Sequence, residues 1–390
     1  MLHGHVHPSF GAVTHLLDRY TSGEKRYGGA VCVYFRGEKV VDAWGGVRDP
    51  SGTPWEADTM SISWSTTKGV TSTALHVLAD RGEVSYDAPV ATYWPEFGQA
   101  GKESVTVRQL LSHQAGLHRL AGVVPDADHF LDWDVMTEAL AAQPSDPPAG
   151  TGSGYHAMSY GWLVGEVVRR VSGKSLGTFV REDIATPLGL DGLHIGLPET
   201  HRGRVAPLMP PFRSVNPKIE EAVTGFLLRH GPFKRLVETS AVPGMMELFR
   251  DVSLRVLDAE IGAANGTFTA RSLARLYATF ANDGALDGVR LLSPGRVALM
   301  SEQQTTGRDY CVPINMRWRI GYHQGFIAAL RQMPNAFGHF GLGGSGAWAD
   351  PDLDLAVAYV TNDMRSASTP FGDARLARIG AAAVRAARAA

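Results

Sequence analysis

Two hairpin patterns near opposite ends of the chain constrain its fold more than any other feature. The first spans residues 30–44 around a turn at Gly37, and the second spans residues 346–360 around a turn at Pro351. β-Branched and aromatic runs on either side of a short turn predict antiparallel strand pairs. Between the hairpins, over residues 69–190, apolar residues recur at helical spacing. We therefore expect an α+β fold, an antiparallel sheet flanked by helices with an inserted helical domain.

This pattern also predicts how the domains divide the chain. Residues 1–64 and 255–390 are expected to build the sheet domain from both termini, and residues 65–254 the mainly helical domain, with the active site between them. Residues 206–250 are rich in Pro, Met and Phe and follow no clean period. They fit either a lid over a pocket or packing over the core, and the sequence leaves both open.

The composition is that of a soluble globular protein, with 44% hydrophobic and 19% charged residues in 390. A formal net charge of -2 gives no field that would favour nucleic acid or an anionic membrane surface as partner. The first residues lack the basic end and apolar run of a signal peptide, and no stretch is long and apolar enough for a membrane span. We therefore expect a cytoplasmic protein, and the pattern is silent on its oligomeric state.

Three alternating histidines, His3, His5 and His7, could in principle meet a metal ion. A mobile, solvated terminus is the preferred interpretation. The sequence predicts no metal and no cofactor.

Ser65-Thr66-Thr67-Lys68 opens the first helix of the central region. Residues three apart share a helix face, so the Lys68 amine can reach the Ser65 hydroxyl and, with its pKa lowered by burial, take its proton. An N-capping Ser with a solvent-facing Lys has the same spacing. Two Gly-rich segments favour the catalytic interpretation: residues 150–157 before a helix, and residues 338–345 just before a strand.

At this point the sequence resembles a known group. Ser65-x-x-Lys68, Tyr155-x-Ala157 and His339-x-Gly341 stand in the order of the three motifs of class C β-lactamases, D-alanyl-D-alanine peptidases and family VIII carboxylesterases. Residues 106–117 and 160–166 also resemble that superfamily, which has a β-lactamase/transpeptidase-like fold.

The resemblance implies a mechanism. Ser65 would attack an acyl carbonyl, Lys68 and Tyr155 would share the work of general base, and Tyr155 would protonate the leaving group. The backbone N–H groups of Ser65 and Leu342 would form the oxyanion hole. The acyl-enzyme would then be hydrolysed by water.

Two departures from the family pattern point to the substrate. Ala157 replaces the Asn of the second motif, and His339 replaces the usual Lys of the third. Both changes remove polar anchors for β-lactams, which favours neutral or apolar esters. His339, with Gly341 and Ala157, is expected to face the substrate; a core histidine bonded to backbone is the alternative.

A competing motif, Gly173-Lys174-Ser175-Leu176-Gly177, matches the G-x-S-x-G nucleophile elbow. The elbow needs a strand before it, whereas the preceding residues have helical spacing. Ser175 therefore reads as a helix N-cap. His113 and His118, near a capping box and a turn, are expected to be structural.

The leading hypothesis is a serine carboxylesterase acting on short- to medium-chain esters through an acyl-enzyme on Ser65. A β-lactamase or D-alanyl-D-alanine carboxypeptidase-like hydrolase and an acyltransferase are alternatives, because all share one acyl-enzyme chemistry. A catalytically silent sensor of acyl ligands is the alternative outside enzymes.

Overall fold

The two predicted hairpins pair with each other in a computed structural model of the chain, which describes residues 2–23, 27–209, 230, 234–251, 255–312, 315–324, 333–364 and 373–390. The strands are β1 (Leu2–Val6), β2 (Gly28–Phe35), β3 (Glu38–Gly46), β4 (Met60–Ile62), β5 (Leu193–His194), β6 (Val205–Ala206), β7 (Thr267–Phe268), β8 (Ala285–Leu286), β9 (Val289–Arg290), β10 (Phe337–Phe340), β11 (Gly346–Asp350) and β12 (Leu355–Thr361).

The helices are α1 (Gly11–Thr21), α2 (Thr66–Asp80), α3 (Val107–Leu111), α4 (Trp133–Ala142), α5 (Tyr160–Ser172), α6 (Leu176–Phe179), α7 (Thr186–Leu188), α8 (Lys234–Glu238), α9 (Met245–Arg250), α10 (Ala270–Ala281), α11 (Pro294–Ser301) and α12 (Ala374–Ala389). A π-helical segment, Val180–Ala185, joins α6 to α7. No helix in the described ranges is both long and apolar enough to cross a bilayer.

The main sheet has the strand order β1-β3-β2-β12-β11-β10, and every neighbouring pair is antiparallel. The N-terminal and C-terminal hairpins meet where β2 pairs with β12, with Val33 opposite Val357. This confirms the predicted fold class, an antiparallel sheet built from both ends of the chain and flanked by helices.

Helices cover both faces of this sheet. Side chains along β2 alternate between the two faces, so β2 contributes to the packing on each side. Val31, Val33 and Phe35 pack on one face in a cluster that includes residues of α1 and α12. Ala30, Cys32 and Tyr34 belong to the larger core on the other face, together with α2, α5 and α10. Helix α2 is therefore enclosed, and all its residues from Thr66 to Ala79 are buried.

The prediction of a mobile N-terminus is wrong. Residues Leu2–Val6 form the edge strand β1, in which Leu2 lies opposite Gly45 of β3. Backbone pairing fixes the segment, while His3 and His5 stay exposed and His3 stacks on Trp44. No group of three His, Cys, Asp or Glu side chains in the described part of the chain is arranged to hold a metal ion.

The third motif also differs from its predicted setting. Residues 338–345 do not simply precede a strand, because Phe337–Phe340 is itself β10 and residues 341–345 form the turn into β11. A small mixed sheet, β5-β7-β4-β6, was not expected; in it β4 pairs parallel with β6 and antiparallel with β7. Of residues 206–250, positions 210–229 and 231–233 lie outside the described residues, so the lid prediction stays open there.

Candidate active site

Ser65 stands at the N-cap of α2, directly after an unusual backbone conformation. Trp64 has φ of 48°, the left-handed region that residues other than glycine rarely adopt. The chain then turns at once into the helix, where Thr67 N donates to Trp64 O at 2.9 Å. Strain of this kind is concentrated at functional sites, and here it lies immediately before the predicted nucleophile.

Lys68 lies one helical turn after Ser65, with its amine fully buried. Nζ is 3.0 Å from Ser65 Oγ and donates to Ala157 O at 2.6 Å and Ala263 O at 3.0 Å. Among the described residues no carboxylate compensates its charge, and desolvation by burial lowers the pKa of Lys68 well below its ordinary value. The site therefore favours a neutral amine.

Tyr155 comes from the Gly-rich loop that precedes α5, as expected. Its hydroxyl donates to Ser65 Oγ at 2.7 Å. The ring stacks on Trp318, with centroids 5.5 Å apart and planes 16° apart. Burial, and secondarily the charge of Asp309, raises the pKa of Tyr155 above its ordinary value, so the phenol is protonated at neutral pH.

The third motif reaches the same place through the turn between β10 and β11. A Cβ on Gly341 would lie 2.1 Å from Ser63 O, so only glycine permits this approach to the start of α2. Leu342, the next residue, is 40% exposed. Within the described ranges, neither the Ser65 nor the Leu342 backbone N–H donates to another protein atom, which suits a pair of oxyanion donors.

His339 is buried rather than openly displayed, with a 1% exposed side chain. Its Nδ1 is 3.2 Å from Phe340 O, and its ring centroid is 6.4 Å from that of Tyr155. Burial lowers the pKa of His339 well below its ordinary value, so the ring is neutral. Nε2 has no hydrogen-bond partner in the described part of the chain. This atom could bind a polar group of a substrate.

The rival serine and the two nearby histidines have structural contacts. Ser175 caps α6 by accepting from Thr178 N, and its hydroxyl donates to Glu260 Oε1 at 2.7 Å. It follows helix α5 instead of a strand, so the elbow geometry is absent. His113 is buried, and its Nδ1 accepts from His156 N at 3.1 Å. His118 lies under the Gly-rich loop, where a Cβ on Gly154 would meet its ring.

Sequence reasoning missed three contributors to this arrangement. Asp309 accepts from Tyr155 N at 3.0 Å, Trp318 stacks on the Tyr155 ring, and the Ala263 carbonyl accepts from Lys68. A backbone carbonyl has no sequence signal at all. Asp309 and Trp318 lie more than 150 positions from Tyr155 in the chain, and no local pattern links them to it.

The structure thus combines a β-lactamase/transpeptidase-like fold with a serine hydroxyl that lies within hydrogen-bond distance of both a buried amine and a phenol. These features define a hydrolase of the esterase/β-lactamase type. The chain belongs to the beta-lactamase family, whose model matches residues 13–382.

Individual relatives are similar over most of the chain. Esterase/beta-lactamase LipL of Mycobacterium tuberculosis (strain ATCC 25618 / H37Rv) is 40% identical over 370 residues, covering 93% of this chain and 83% of the relative. A family VIII carboxylesterase structure superimposes with a TM-score of 0.87 at 36% identity, over 99% of this chain and 100% of that one. A penicillin-binding protein homologue from Caulobacter crescentus gives 0.82 at 36% identity, with the same coverage.

Proposed function

We propose that this protein is a serine carboxylesterase that hydrolyses short- to medium-chain esters through an acyl-enzyme on Ser65. The observation that carries the proposal is the position of Ser65 Oγ, which lies 3.0 Å from Lys68 Nζ and 2.7 Å from Tyr155 OH. A serine hydroxyl needs a neighbouring base to become nucleophilic. Both candidate partners are within proton-transfer distance.

The hydrogen bonds of Lys68 support the proposal that it acts as the base. A neutral amine has two N–H hydrogens and one lone pair, and carbonyl oxygens can only accept. Ala157 O and Ala263 O take the two hydrogens. The lone pair is then left to face Ser65 Oγ and to accept its proton.

The remaining steps of the proposed mechanism use the same groups. Ser65 Oγ bonds to the ester carbonyl carbon as its proton passes to Lys68, and the oxyanion is stabilised by the backbone N–H groups of Ser65 and Leu342. When the carbon–oxygen bond to the alcohol breaks, Tyr155 donates a proton to the leaving alkoxide, and the proton held by Lys68 restores the phenol. Water then attacks the acyl-enzyme in the same way and releases the acid.

The preference for esters rests on the residues around this centre. Ala157 offers no side-chain amide to a peptide-like substrate, and the buried His339 is neutral where an ammonium would attract a β-lactam carboxylate. Gly341 leaves the turn beside Ser65 free of a side chain. Two of the relatives bear the words esterase and carboxylesterase in their names.

A two-serine comparison tests the proposal. The wild type is expected to hydrolyse p-nitrophenyl acetate, butyrate and octanoate; Ser65→Ala should abolish this turnover, while the matched control Ser175→Ala should keep it. Mass spectrometry after a fluorophosphonate should locate the adduct on Ser65. Turnover that survives Ser65→Ala but is lost in Ser175→Ala would refute the assignment, and absence of both labelling and turnover would favour a silent sensor.

A β-lactamase is the second candidate, since one relative is named for both activities. Nitrocefin hydrolysis by the same variants measures it directly. Turnover of nitrocefin comparable with that of the esters would contradict the proposed preference for esters. It would not contradict the assignment of Ser65 as the nucleophile. Product analysis with added alcohols separates hydrolysis from acyl transfer.

A further inference from the structure

A single buried carboxylate, Asp309, collects hydrogen bonds from the surroundings of Tyr155. Oδ1 accepts from the backbone N–H groups of Tyr155 at 3.0 Å, Cys311 at 2.8 Å and Val312 at 3.0 Å. Oδ2 accepts from Trp318 Nε1 at 2.8 Å. The residue is only 5% exposed. The number of N–H donors equals the roughly four lone-pair sites of a carboxylate. These four hydrogen bonds compensate the cost of burying the charge.

Two of those four donors connect Asp309 to different parts of Tyr155, its main chain and its ring. The first is its own backbone N–H, which fixes the main chain of the loop. The second belongs to Trp318, whose ring lies against the phenol ring at 5.5 Å and nearly parallel to it. Trp318 is itself 1% exposed and is backed by His113, with ring centroids 4.0 Å apart. Asp309 therefore holds Tyr155 from the backbone and, through Trp318, from the ring.

The loop around Asp309 is tied to the Gly-rich loop at further points. Tyr310 N donates to Ser153 O at 2.7 Å, and Tyr310 OH donates to Thr151 O at 3.2 Å. A Cβ on Gly152 would lie 2.5 Å from the Tyr310 hydroxyl, so the two loops are in close contact. The Asp309 loop is thus a support on which the segment carrying Tyr155 rests.

We propose that Asp309 is a positioning residue that directs the Tyr155 hydroxyl at Ser65 Oγ. The inference rests on the proposed function, because the direction of this hydroxyl matters only if Tyr155 moves a proton during the reaction. Proton transfer needs a donor and acceptor held at hydrogen-bond distance, and small displacements of a catalytic group reduce the rate steeply. Asp309 itself does not touch Ser65 or the site of the reacting carbonyl.

Asp309→Asn is a sharp test because the amide has nearly the same size. Asn offers one oxygen as acceptor and brings two N–H hydrogens of its own. At least one of the four donors would then face another donor, and either Trp318 or the Tyr155 loop would lose its anchor. Trp318→Phe is milder, since it removes the indole N–H but keeps an aromatic ring on Tyr155.

The experiment is a double-mutant cycle with Tyr155→Phe. For Asp309→Asn we expect kcat for p-nitrophenyl butyrate to fall by up to about 100-fold with KM nearly unchanged, because binding groups are not altered. In the Tyr155→Phe background the same substitution should have no further effect. The fluorophosphonate labelling rate of Ser65 should follow the same pattern. Asp350→Asn, a second buried carboxylate whose Oδ1 accepts a backbone N–H from Asp352, is the matched control and should keep kcat.

Two results would overturn the inference: wild-type kcat in Asp309→Asn, or an equal fold loss in the wild-type and Tyr155→Phe backgrounds. If Asp309→Asn does not fold, the cycle is run with Trp318→Phe, for which a loss seen only in the presence of Tyr155 is expected. Failure of the proposed function looks different, since Ser65→Ala would then retain turnover. Loss of turnover in Ser65→Ala with an inert Asp309→Asn removes the inference alone.

Discussion

Thr66 Oγ1 donates a 3.0 Å hydrogen bond to the carbonyl oxygen of Ser345. The first residue of α2 is thereby joined to the turn between β10 and β11, which carries Leu342. Ser65 and Leu342, the two proposed oxyanion donors, each lie close in the chain to one end of this bond. This side-chain contact therefore joins the segments that carry the two N–H groups and contributes to their separation.

Thr66→Val tests this link. The hydroxyl is lost while the shape is kept, the Ser345 carbonyl loses a partner, and the turn becomes free to shift away from Ser65. We expect kcat to fall about tenfold, less than the loss typical of deleting an oxyanion donor outright. Thr73→Val is the control in the same helix, because its equally buried hydroxyl bonds Gly69 O and Tyr322 OH instead. Similar kcat losses in the two variants would contradict the role of the Thr66 bond.

A pH profile tests the neutral amine of Lys68. Burial lowers its pKa, and protonation removes the lone pair, so kcat/KM should rise with pH up to that pKa and fall about tenfold per pH unit below it. Burial lowers the pKa of the neighbouring His323 to about 3, so this histidine does not determine where kcat/KM begins to fall at low pH. His323→Asn should therefore leave the pH of that fall unchanged. A shift of that pH in His323→Asn would contradict the assignment to Lys68.

The same group should influence stability in a defined direction. In the unfolded chain Lys68 is protonated below about pH 10.4, whereas the folded state disfavours the proton. The unfolded state thus binds more protons between the two pKa values, and the free energy of unfolding rises with pH there by about 1.4 kcal/mol per unit. Urea unfolding of Lys68→Met should lack this slope. An identical pH dependence in both proteins would show that Lys68 keeps its proton on folding.

Ala157→Asn tests the basis of the ester preference. Ala157 is partly exposed, and its carbonyl, not its side chain, contacts Lys68. An amide there restores the polar anchor that the related β-lactamases have at this place in the motif. We expect kcat/KM for nitrocefin to rise about tenfold relative to that for p-nitrophenyl butyrate, the value of one added hydrogen bond. Ala157→Leu, which adds bulk without polarity, is the control, and an equal rise in it would refute the argument.

Some elements of the fold could be predicted from the sequence and others could not. The hairpins were predictable because their signal is local, in β-branched and aromatic runs around short turns. The capping box of Thr106 and Gln109 at the start of α3 has an equally local signal, a fixed spacing of three. Strand β1 was not, since its Leu-His-Gly-His-Val sequence has little strand character and is held by backbone pairing with β3. Long-range pairing overrides local propensity there.

The site shows the same division. Ser65 and Lys68 share one helical turn, so their spacing permits the contact, although the same spacing also fits an N-capping Ser with a solvent-facing Lys. The approach of Tyr155 could be inferred only from the resemblance to a family, because 90 positions separate it from Ser65. Its support by Asp309 and Trp318 left no recognisable pattern, and only the folded chain brings those residues together.

The last prediction concerns Arg375, which contacts the turn between β10 and β11 that carries Leu342. Its guanidinium binds Asp363 at 2.6 Å, pairs closely with Asp373, and donates to Gly343 O at 2.7 Å. Because both carboxylates are almost fully buried, removing the cation takes away a positive charge that pairs with both of them. Arg375→Ala should therefore lower the free energy of unfolding by about 3–5 kcal/mol, and kcat should fall as the turn loosens.

Arg255→Ala is the matched control, because the pair that Arg255 forms with Asp128 is largely exposed. Its removal should change the free energy of unfolding by less than about 1 kcal/mol. Denaturant unfolding and ester kinetics on the two variants compare a buried cation with an exposed one. Should Arg375→Ala prove as stable and active as Arg255→Ala, the turn that carries Leu342 must be held by the Thr66 bond and the β10–β11 pairing without help from Arg375.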